Sequence, residues 1–95
     1  MQESHSLTNN LLMEVHFLSN RLRNIKQSYK TTGNKALKGR LFTENINIFK
    51  RVKEIYKIAE LLNKNNGKIN FSNLLIEITK RTMNENKFES NLFFL

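Results

Sequence analysis

The feature that most limits the fold of this chain is a run of apolar residues with heptad spacing near its N-terminus. Successive members are four, three, four, three and four positions apart, and no proline interrupts them. They are Leu11, Val15, Leu18, Leu22, Ile25 and Tyr29. A seam of this period lies along one side of an α-helix and requires a partner helix. The spacing therefore predicts a long helix over about 8–30, packed against a second helix.

A second apolar stripe follows in the middle of the chain. Its members recur at helical spacing, and a row of aromatic residues lies beside them. The stripe contains Leu41, Ile48, Val52, Ile55, Ala59 and Leu62, and the aromatic row contains Phe42, Phe49 and Tyr56. Because Thr43 is a suitable N-cap, we predict a helix over about 43–64. A stripe this wide is typical of a central helix with two neighbours.

The remaining segments predict shorter elements. Residues 31–40 are polar and cationic and include two glycines, which predicts a basic loop with Gly33 in the left-handed conformation. We predict two shorter helices over about 72–83 and 85–95. The fold class is then all-α: a long antiparallel helical hairpin plus two shorter C-terminal helices. Residues 1–95 would form a single domain, a three- to four-helix bundle.

Composition excludes several kinds of site. The 95 residues include no cysteine, no aspartate and only two histidines, and the three glycines are far apart. These absences exclude disulfides, thiolate metal sites, EF-hand loops and a glycine-rich phosphate loop. No nucleophile–base pair or metal-ligand spacing is visible in the sequence. We therefore expect a protein that is not an enzyme and has no cofactor and no metal site.

The sequence also carries no signal for a membrane or for secretion. No apolar run reaches the length of a transmembrane helix. The first ten residues contain no lysine or arginine, so the positive n-region of a secretory signal is missing. We expect an intracellular, cytoplasmic protein without membrane insertion.

The net charge of +8 is concentrated in one part of the chain. Residues 1–20 contain two glutamates and no lysine or arginine, whereas residues 21–40 contain seven lysines and arginines and no acid. The seven are Arg21, Arg23, Lys26, Lys30, Lys35, Lys38 and Arg40. A codon bias toward lysine would spread along the whole chain, so it explains this concentration poorly.

The concentrated charge has two interpretations. A basic end of the hairpin suits a phosphate backbone, because several cations release condensed counterions together. The other interpretation is a solvated helix end, where cations near a C-terminus stabilise the helix through its dipole. The first interpretation predicts a small regulatory protein that contacts nucleic acid through residues 21–40.

The alternative function is a protein–protein adaptor or inhibitor. Its basic end would steer it to an acidic partner surface. Its interface would be the apolar surface of the first helix and the C-terminal segment, namely Leu11, Val15, Leu18, Leu22, Leu92, Phe93, Phe94 and Leu95. The apolar surface exceeds what one small hairpin can hide, so we also expect a homodimer.

The order of elements after Ile55 is loosely similar to the start of helix-turn-helix and winged-helix domains. An apolar helix end, an Asn-Gly turn and a short Ile-x-Phe link precede the next helix. The resemblance implies that the last helix, with Lys87 exposed, would read DNA. A plain three-helix packing unit is the other interpretation.

Overall fold

A computed structural model describes the backbone of residues 2–65 and 70–87 and the side chains of residues 6–64 and 73–85. It contains three α-helices, α1 over Gln2–Thr31, α2 over Lys35–Asn65 and α3 over Asn70–Lys87. Of the described residues, only 32–34 lie outside a helix. The predicted all-α class is therefore confirmed, and the helices form an elongated unit of 49 × 19 × 15 Å.

A turn of only three residues joins α1 to α2, so the predicted basic loop over 31–40 is wrong. The side-chain oxygen of Asn34 accepts a hydrogen bond from the backbone N–H of Leu37 (3.1 Å), which is the geometry of a helix N-cap. The hydroxyl of Thr32 accepts one from the backbone N–H of Asn34 (3.1 Å). The N-cap of α2 is thus Asn34 and not Thr43. Thr43 lies inside the helix, where its hydroxyl donates to a carbonyl one turn earlier.

Two other features at the helix ends differ from the sequence prediction. No described residue has a positive φ, so the left-handed conformation predicted for Gly33 is wrong. α1 begins at Gln2 and not near Thr8, whose side chain is buried. No glycine or proline precedes Thr8, so nothing in the sequence stops the helix from starting earlier.

α3 is one continuous helix where the sequence predicts a break between 83 and 85. It starts at Asn70 and continues through Asn84 to Lys87. A lone asparagine without glycine or proline is a weak stop signal, which explains why the helix continues. Within 70–87 the continuous helix leaves no turn between 78 and 84, where the helix-turn-helix resemblance requires one, so that predicted turn is wrong. Residues 88–95 of the predicted last helix lie outside the described residues.

The heptad seam of α1 forms the core, as its spacing predicts. One cluster of buried side chains lies toward the open end of the hairpin and contains Leu11, Val15, Ile55, Ala59 and Leu75. A second cluster lies nearer the turn and contains Leu22, Ile25, Leu41, Ile48 and Val52. Leu18 packs against both clusters. Because α2 contacts both α1 and α3, it has the two neighbours that its wide stripe predicts.

Two ion pairs fix the register of the antiparallel hairpin. The carboxylate of Glu14 accepts two hydrogen bonds from the guanidinium of Arg51, at 2.6 and 2.9 Å. Glu44 binds Arg21 in the same two-pronged way. The pairs are one heptad apart. α1 supplies the glutamate of one pair and the arginine of the other. A slip by one heptad would place Glu14 beside Glu44, or Arg21 beside Arg51, and like charges disfavour both arrangements.

The seam of α2 contains one polar residue. Asn45 stands four positions after Leu41 and three before Ile48, and its side chain is buried. Its amide has no hydrogen-bond partner among the described residues. A buried polar residue at a seam position favours one packing arrangement at a cost in stability.

Replacing Asn45 by leucine is expected to raise the free energy of unfolding by about 1 kcal/mol. Burying an amide without a partner costs about 1–3 kcal/mol, and leucine removes that cost while it adds apolar contact. Urea unfolding of the wild type and the variant measures the difference. Asn47→Leu, at an exposed position of the same helix, is the control and should change stability by less than about 0.5 kcal/mol. A less stable Asn45→Leu variant would contradict this account.

Candidate nucleic-acid interface

The seven basic residues that the sequence singles out divide into two groups in space. Four lie where α1 ends and α2 begins, on both sides of the turn, and three lie farther back along α1. We call the four the hairpin-end cluster: Lys30, Lys35, Lys38 and Arg40. Lys30, Lys35 and Arg40 are exposed, and Lys38 is half-buried.

The charge of the hairpin-end cluster has no acidic partner in the part of the chain that the structure describes. The ion pairs there join arginines of the hairpin sides to Glu14, Glu44 and Glu54. Glu44 is the acid closest to the cluster in sequence, and Arg21 already binds both of its carboxylate oxygens. Four cations therefore lie together at one end of the molecule, and none of them forms an ion pair with a described carboxylate.

Tyr29 anchors one cation of the cluster. The Nζ atom of Lys38 lies 5.0 Å from the centroid of the Tyr29 ring, within the range of a cation–π interaction. Tyr29 itself packs against the core cluster that contains Leu22 and Ile25. The position of Lys38 is thus linked to the core of the hairpin, and its ammonium group is held near the turn.

The positions of Lys35 and Lys38 are unfavourable for α2 itself. Both residues lie in the first turn of α2, which contains no acidic residue. The N-terminus of a helix carries a partial positive charge, so a cation there is disfavoured, by about 0.3–1 kcal/mol at low ionic strength. Lys30 is in the last turn of α1, where the dipole favours a cation. Helix stabilisation therefore explains Lys30 but not the two lysines of α2.

Arg21 already binds a carboxylate, which makes it a weaker candidate for phosphate contact than the hairpin-end cluster. Its guanidinium donates two hydrogen bonds to Glu44 across the hairpin. These hydrogen bonds raise the pKa of Arg21 and lower the pKa of Glu44, because each group stabilises the charged form of the other. Arg21 therefore helps to set the register of the two antiparallel helices.

Arg23 and Lys26 also lie apart from the hairpin-end cluster. The Nη2 atom of Arg23 donates to the side-chain oxygen of Asn20 (2.7 Å). Arg23 lines a cleft between α1 and α3 that also contains Glu77 and Glu85. Lys26 is half-buried and makes an interaction of its own. Acidic neighbours and partial burial make these two residues weaker candidates for phosphate contact.

Sequence reasoning missed a second basic surface, on the outer face of α2. Four lysines with exposed side chains recur there at intervals of three, four and seven positions. We call them the α2 stripe: Lys50, Lys53, Lys57 and Lys64. Counting charge along the sequence hides them, because Glu54 and Glu60 fall between them. Their helical spacing is the signal that would have found them.

The apolar interface that the sequence predicts on the first helix lies inside the molecule, which corrects that prediction. Leu11, Val15 and Leu22 are buried and Leu18 is half-buried, in the core shared with α2 and α3. The exposed large apolar side chains described on α1 are instead Leu7, Met13 and Phe17. The other predicted interface residues, Leu92, Phe93, Phe94 and Leu95, lie outside the described residues.

Two glutamates of the hairpin have lowered pKa values. Hydrogen bonds from Arg51 hold the pKa of Glu14 below its ordinary value, and those from Arg21 do the same for the pKa of Glu44. Partial burial opposes the shift in both, and the charge of the arginine adds to it. A carboxylate pKa that is lower in the folded state stabilises the fold above its unfolded-state value. That stabilisation is lost as the pH falls through the folded-state value.

The free energy of unfolding is therefore expected to decrease as the pH falls below about 4.3, the ordinary pKa of glutamate. Each pair should contribute no more than about 1 kcal/mol, because its groups are more than a third exposed and are screened by solvent. Urea unfolding across this pH range measures the effect, and the double variant Glu14→Gln/Glu44→Gln should flatten it. Glu60→Gln/Glu85→Gln is the matched control. Unchanged acid sensitivity in the first double variant would contradict the assignment.

Comparison of the chain with protein-family models, with curated proteins and with solved structures gives no match. Among the described residues, no helix has an apolar stretch long enough to cross a membrane. The same residues contain no group of three or more side chains that could hold a metal ion together. The function is therefore inferred from the geometry and charge of the surfaces.

Proposed function

We propose that this chain is a small, non-enzymatic regulatory protein that binds the phosphate backbone of a nucleic acid through the hairpin-end cluster. The observation that carries the proposal is the position of Lys35 and Lys38 at the positive end of α2, in a turn without an acid. Cations there disfavour the helix, and an anion bound at the turn would offset that cost. Phosphate is the anion that a nucleic acid presents in a regular array.

The narrow turn supports contact with several phosphates at once. Only residues 32–34 separate the two helices, so the cations of both helix ends lie at the same end of the molecule. Arg40 extends this surface along α2, where it borders a shallow depression lined by Ala36, Gly39, Thr43, Asn47 and Glu44. The first four are small or uncharged, and the charge of Glu44 is compensated by its ion pair with Arg21. Several cations in one place release several counterions when they bind a nucleic acid.

Gly33 and Gly39 leave the backbone at the turn end of the hairpin open to close approach by a ligand. A Cβ atom added at either position would meet no other atom within 4 Å, so internal packing does not require glycine there. Gly39 lies inside α2, where glycine costs about 1 kcal/mol relative to alanine. The missing side chain would let a ligand approach the helix backbone closely.

Fluorescence anisotropy with a labelled DNA duplex tests the proposal. The logarithm of the association constant should decrease linearly with the logarithm of the salt concentration, by about 0.9 for each phosphate contacted. Four contacts give an expected slope of roughly −3 to −4. Duplexes of unrelated sequence should bind alike, because phosphate contacts carry no sequence information. Absence of binding at about 50 mM salt, or binding that salt does not weaken, would end the proposal.

A further inference from the structure

A second seam with heptad spacing runs along the solvent-facing side of α1. Its members alternate between four and three positions apart. All of them are exposed, and none carries a charge. We call this row the outer seam: Ser6, Asn10, Met13, Phe17, Asn20, Asn24 and Gln27. α1 thus has one seam that packs within the chain and another that faces solvent.

Met13 and Phe17 form the apolar centre of the outer seam. Their exposed fractions are 71% and 69%, the highest among the large apolar side chains that the structure describes. The two residues are one helical turn apart, so they are neighbours on the same face. Single exposed apolar residues are common on protein surfaces. An adjacent pair within an uncharged heptad seam is more typical of a helix–helix interface.

Charge indicates what can cover this seam. Two copies of a chain with a net charge of +8 repel each other unless they meet through a surface that lacks cations. The α2 stripe makes the outer face of α2 cationic, and the hairpin-end cluster does the same for the turn. The outer seam has no charge of its own. Glu14 and Arg21, which lie beside it on the α2 side, are each paired within the chain. On the α3 side the exposed Arg23 borders the seam, where it donates a hydrogen bond to Asn20 and shares a cleft with Glu77 and Glu85.

We propose that a second copy of this chain packs antiparallel on the outer seam, so that two α1 helices form the interface of a homodimer. In the proposed register, Met13 and Phe17 lie at the centre of the interface. Met13 then packs on Phe17 of the second copy, and Phe17 packs on Met13 of the second copy. The next layer on each side pairs Asn10 with Asn20, and the layer after that pairs Ser6 with Asn24. Each of these pairs occurs twice, as an isologous interface requires. Apolar residues meet apolar residues, and polar residues meet polar ones.

The asparagine layers can satisfy their own hydrogen bonds. The side-chain oxygen of Asn20 already accepts a hydrogen bond from Arg23 (2.7 Å). Its NH₂ group remains able to donate to the side-chain oxygen of Asn10 in the second copy, because an amide side chain carries both donors and acceptor sites. Asparagine at such seam positions specifies register and oligomeric state. The polar layers therefore favour one register over slipped ones.

The hairpin-end cluster favours the antiparallel arrangement over the parallel one. Two parallel α1 helices would bring both clusters side by side, and their cations would repel. Antiparallel helices place the clusters at opposite ends of the dimer, roughly 50 Å apart at 1.5 Å per residue. That separation far exceeds the screening length of about 8–10 Å at physiological salt. The interface shares no residue with the hairpin-end cluster, so this inference does not rest on the proposed nucleic-acid contact.

Sedimentation equilibrium of the full chain tests the proposal. The wild type is expected to reach the mass of a dimer, and Phe17→Glu should weaken dimerisation by at least about tenfold. The control Leu61→Glu places the same charge at an apolar position on α2 that is 60% exposed, and it should dimerise like the wild type. Circular dichroism checks that both variants remain helical. A monomeric wild type, or a Phe17→Glu variant that dimerises like the wild type, would overturn the proposal.

Disulfide cross-linking tests the orientation of the helices. The chain contains no cysteine, so an introduced one is unique. A mixture of Asn10→Cys and Asn20→Cys chains should give a disulfide that joins one variant to the other. Asn10→Cys alone should give little cross-linked product, because its two copies would lie far apart in the antiparallel register. Efficient cross-linking of Asn10→Cys to itself would show a parallel dimer and overturn the antiparallel arrangement.

Discussion

Replacing Ile55 by alanine is expected to lower the free energy of unfolding by about 2–5 kcal/mol. Ile55 is fully buried where side chains of all three helices meet, beside Val15 of α1 and Leu75 of α3. Truncation there removes apolar contacts and leaves a cavity that three packed helices can fill only in part. A domain of this length has a total stability of about 5–14 kcal/mol, so the loss is a large part of it.

Urea or thermal unfolding followed by circular dichroism measures this loss. At about 4–8 °C per kcal/mol, the melting temperature should fall by roughly 10 °C or more. Leu61→Ala is the matched control, since it truncates a side chain of the same helix that is 60% exposed, and it should change stability by less than about 0.5 kcal/mol. Similar losses in the two variants would contradict the core that the structure shows.

Removing three exposed cations of the hairpin-end cluster is expected to have the largest effect on nucleic-acid binding. The triple variant Lys30→Ala/Lys35→Ala/Arg40→Ala loses three proposed phosphate contacts. The salt dependence should flatten by about 2.7 in slope, and affinity at about 50 mM salt should fall by about a hundredfold or more. Anisotropy titrations at several salt concentrations measure both quantities.

A second triple variant separates a local contact from an effect of net charge. Lys50→Ala/Lys53→Ala/Lys57→Ala removes the same charge from the α2 stripe and should retain most of the affinity and slope. Stability gives an independent check, because Lys35 lies at the positive end of α2 and its removal should not destabilise the helix. If the two triple variants lose affinity equally, the basic charge acts diffusely and the hairpin-end cluster is not the contact surface.

The core could be predicted from the sequence because its signal is periodic and local. The heptad spacing of Leu11, Val15, Leu22 and Ile25 requires a buried side, and those residues are buried. The burial of Asn45 was not predicted, because an apolar stripe is identified from its apolar residues alone. Its spacing from Leu41 and Ile48 nevertheless fits the seam. Whether an amide is buried depends on the neighbouring helices, which a single stripe does not define.

The helix ends could not be predicted with the same success. Asn34 and Thr43 are both suitable N-caps, and the sequence alone gave no way to choose between them. The structure selects Asn34, and the residues after it include good helix formers such as Ala36 and Leu37. The break expected near Asn84 rested on a single weak signal, and the helix continues through it.

Only part of the candidate site follows from counting charges along the chain. The count located the hairpin-end cluster, but it included Arg21, which Glu44 binds from a position 23 residues away. That pairing becomes visible only when the antiparallel register is known. The α2 stripe was hidden for a related reason: its lysines recur on one helical face, but Glu54 and Glu60 lie among them in sequence, and Glu60 falls at the same spacing between Lys57 and Lys64.

The measurement that tests the central claim most directly is the amide NMR spectrum of the ¹⁵N-labelled chain during titration with a DNA duplex. Contact through the hairpin-end cluster predicts that the largest shifts fall within residues 30–40, and that added salt reverses them. Residues of the α2 stripe and of the cleft between α1 and α3 should shift little. Largest shifts along residues 50–64, with residues 30–40 unchanged, would contradict the account.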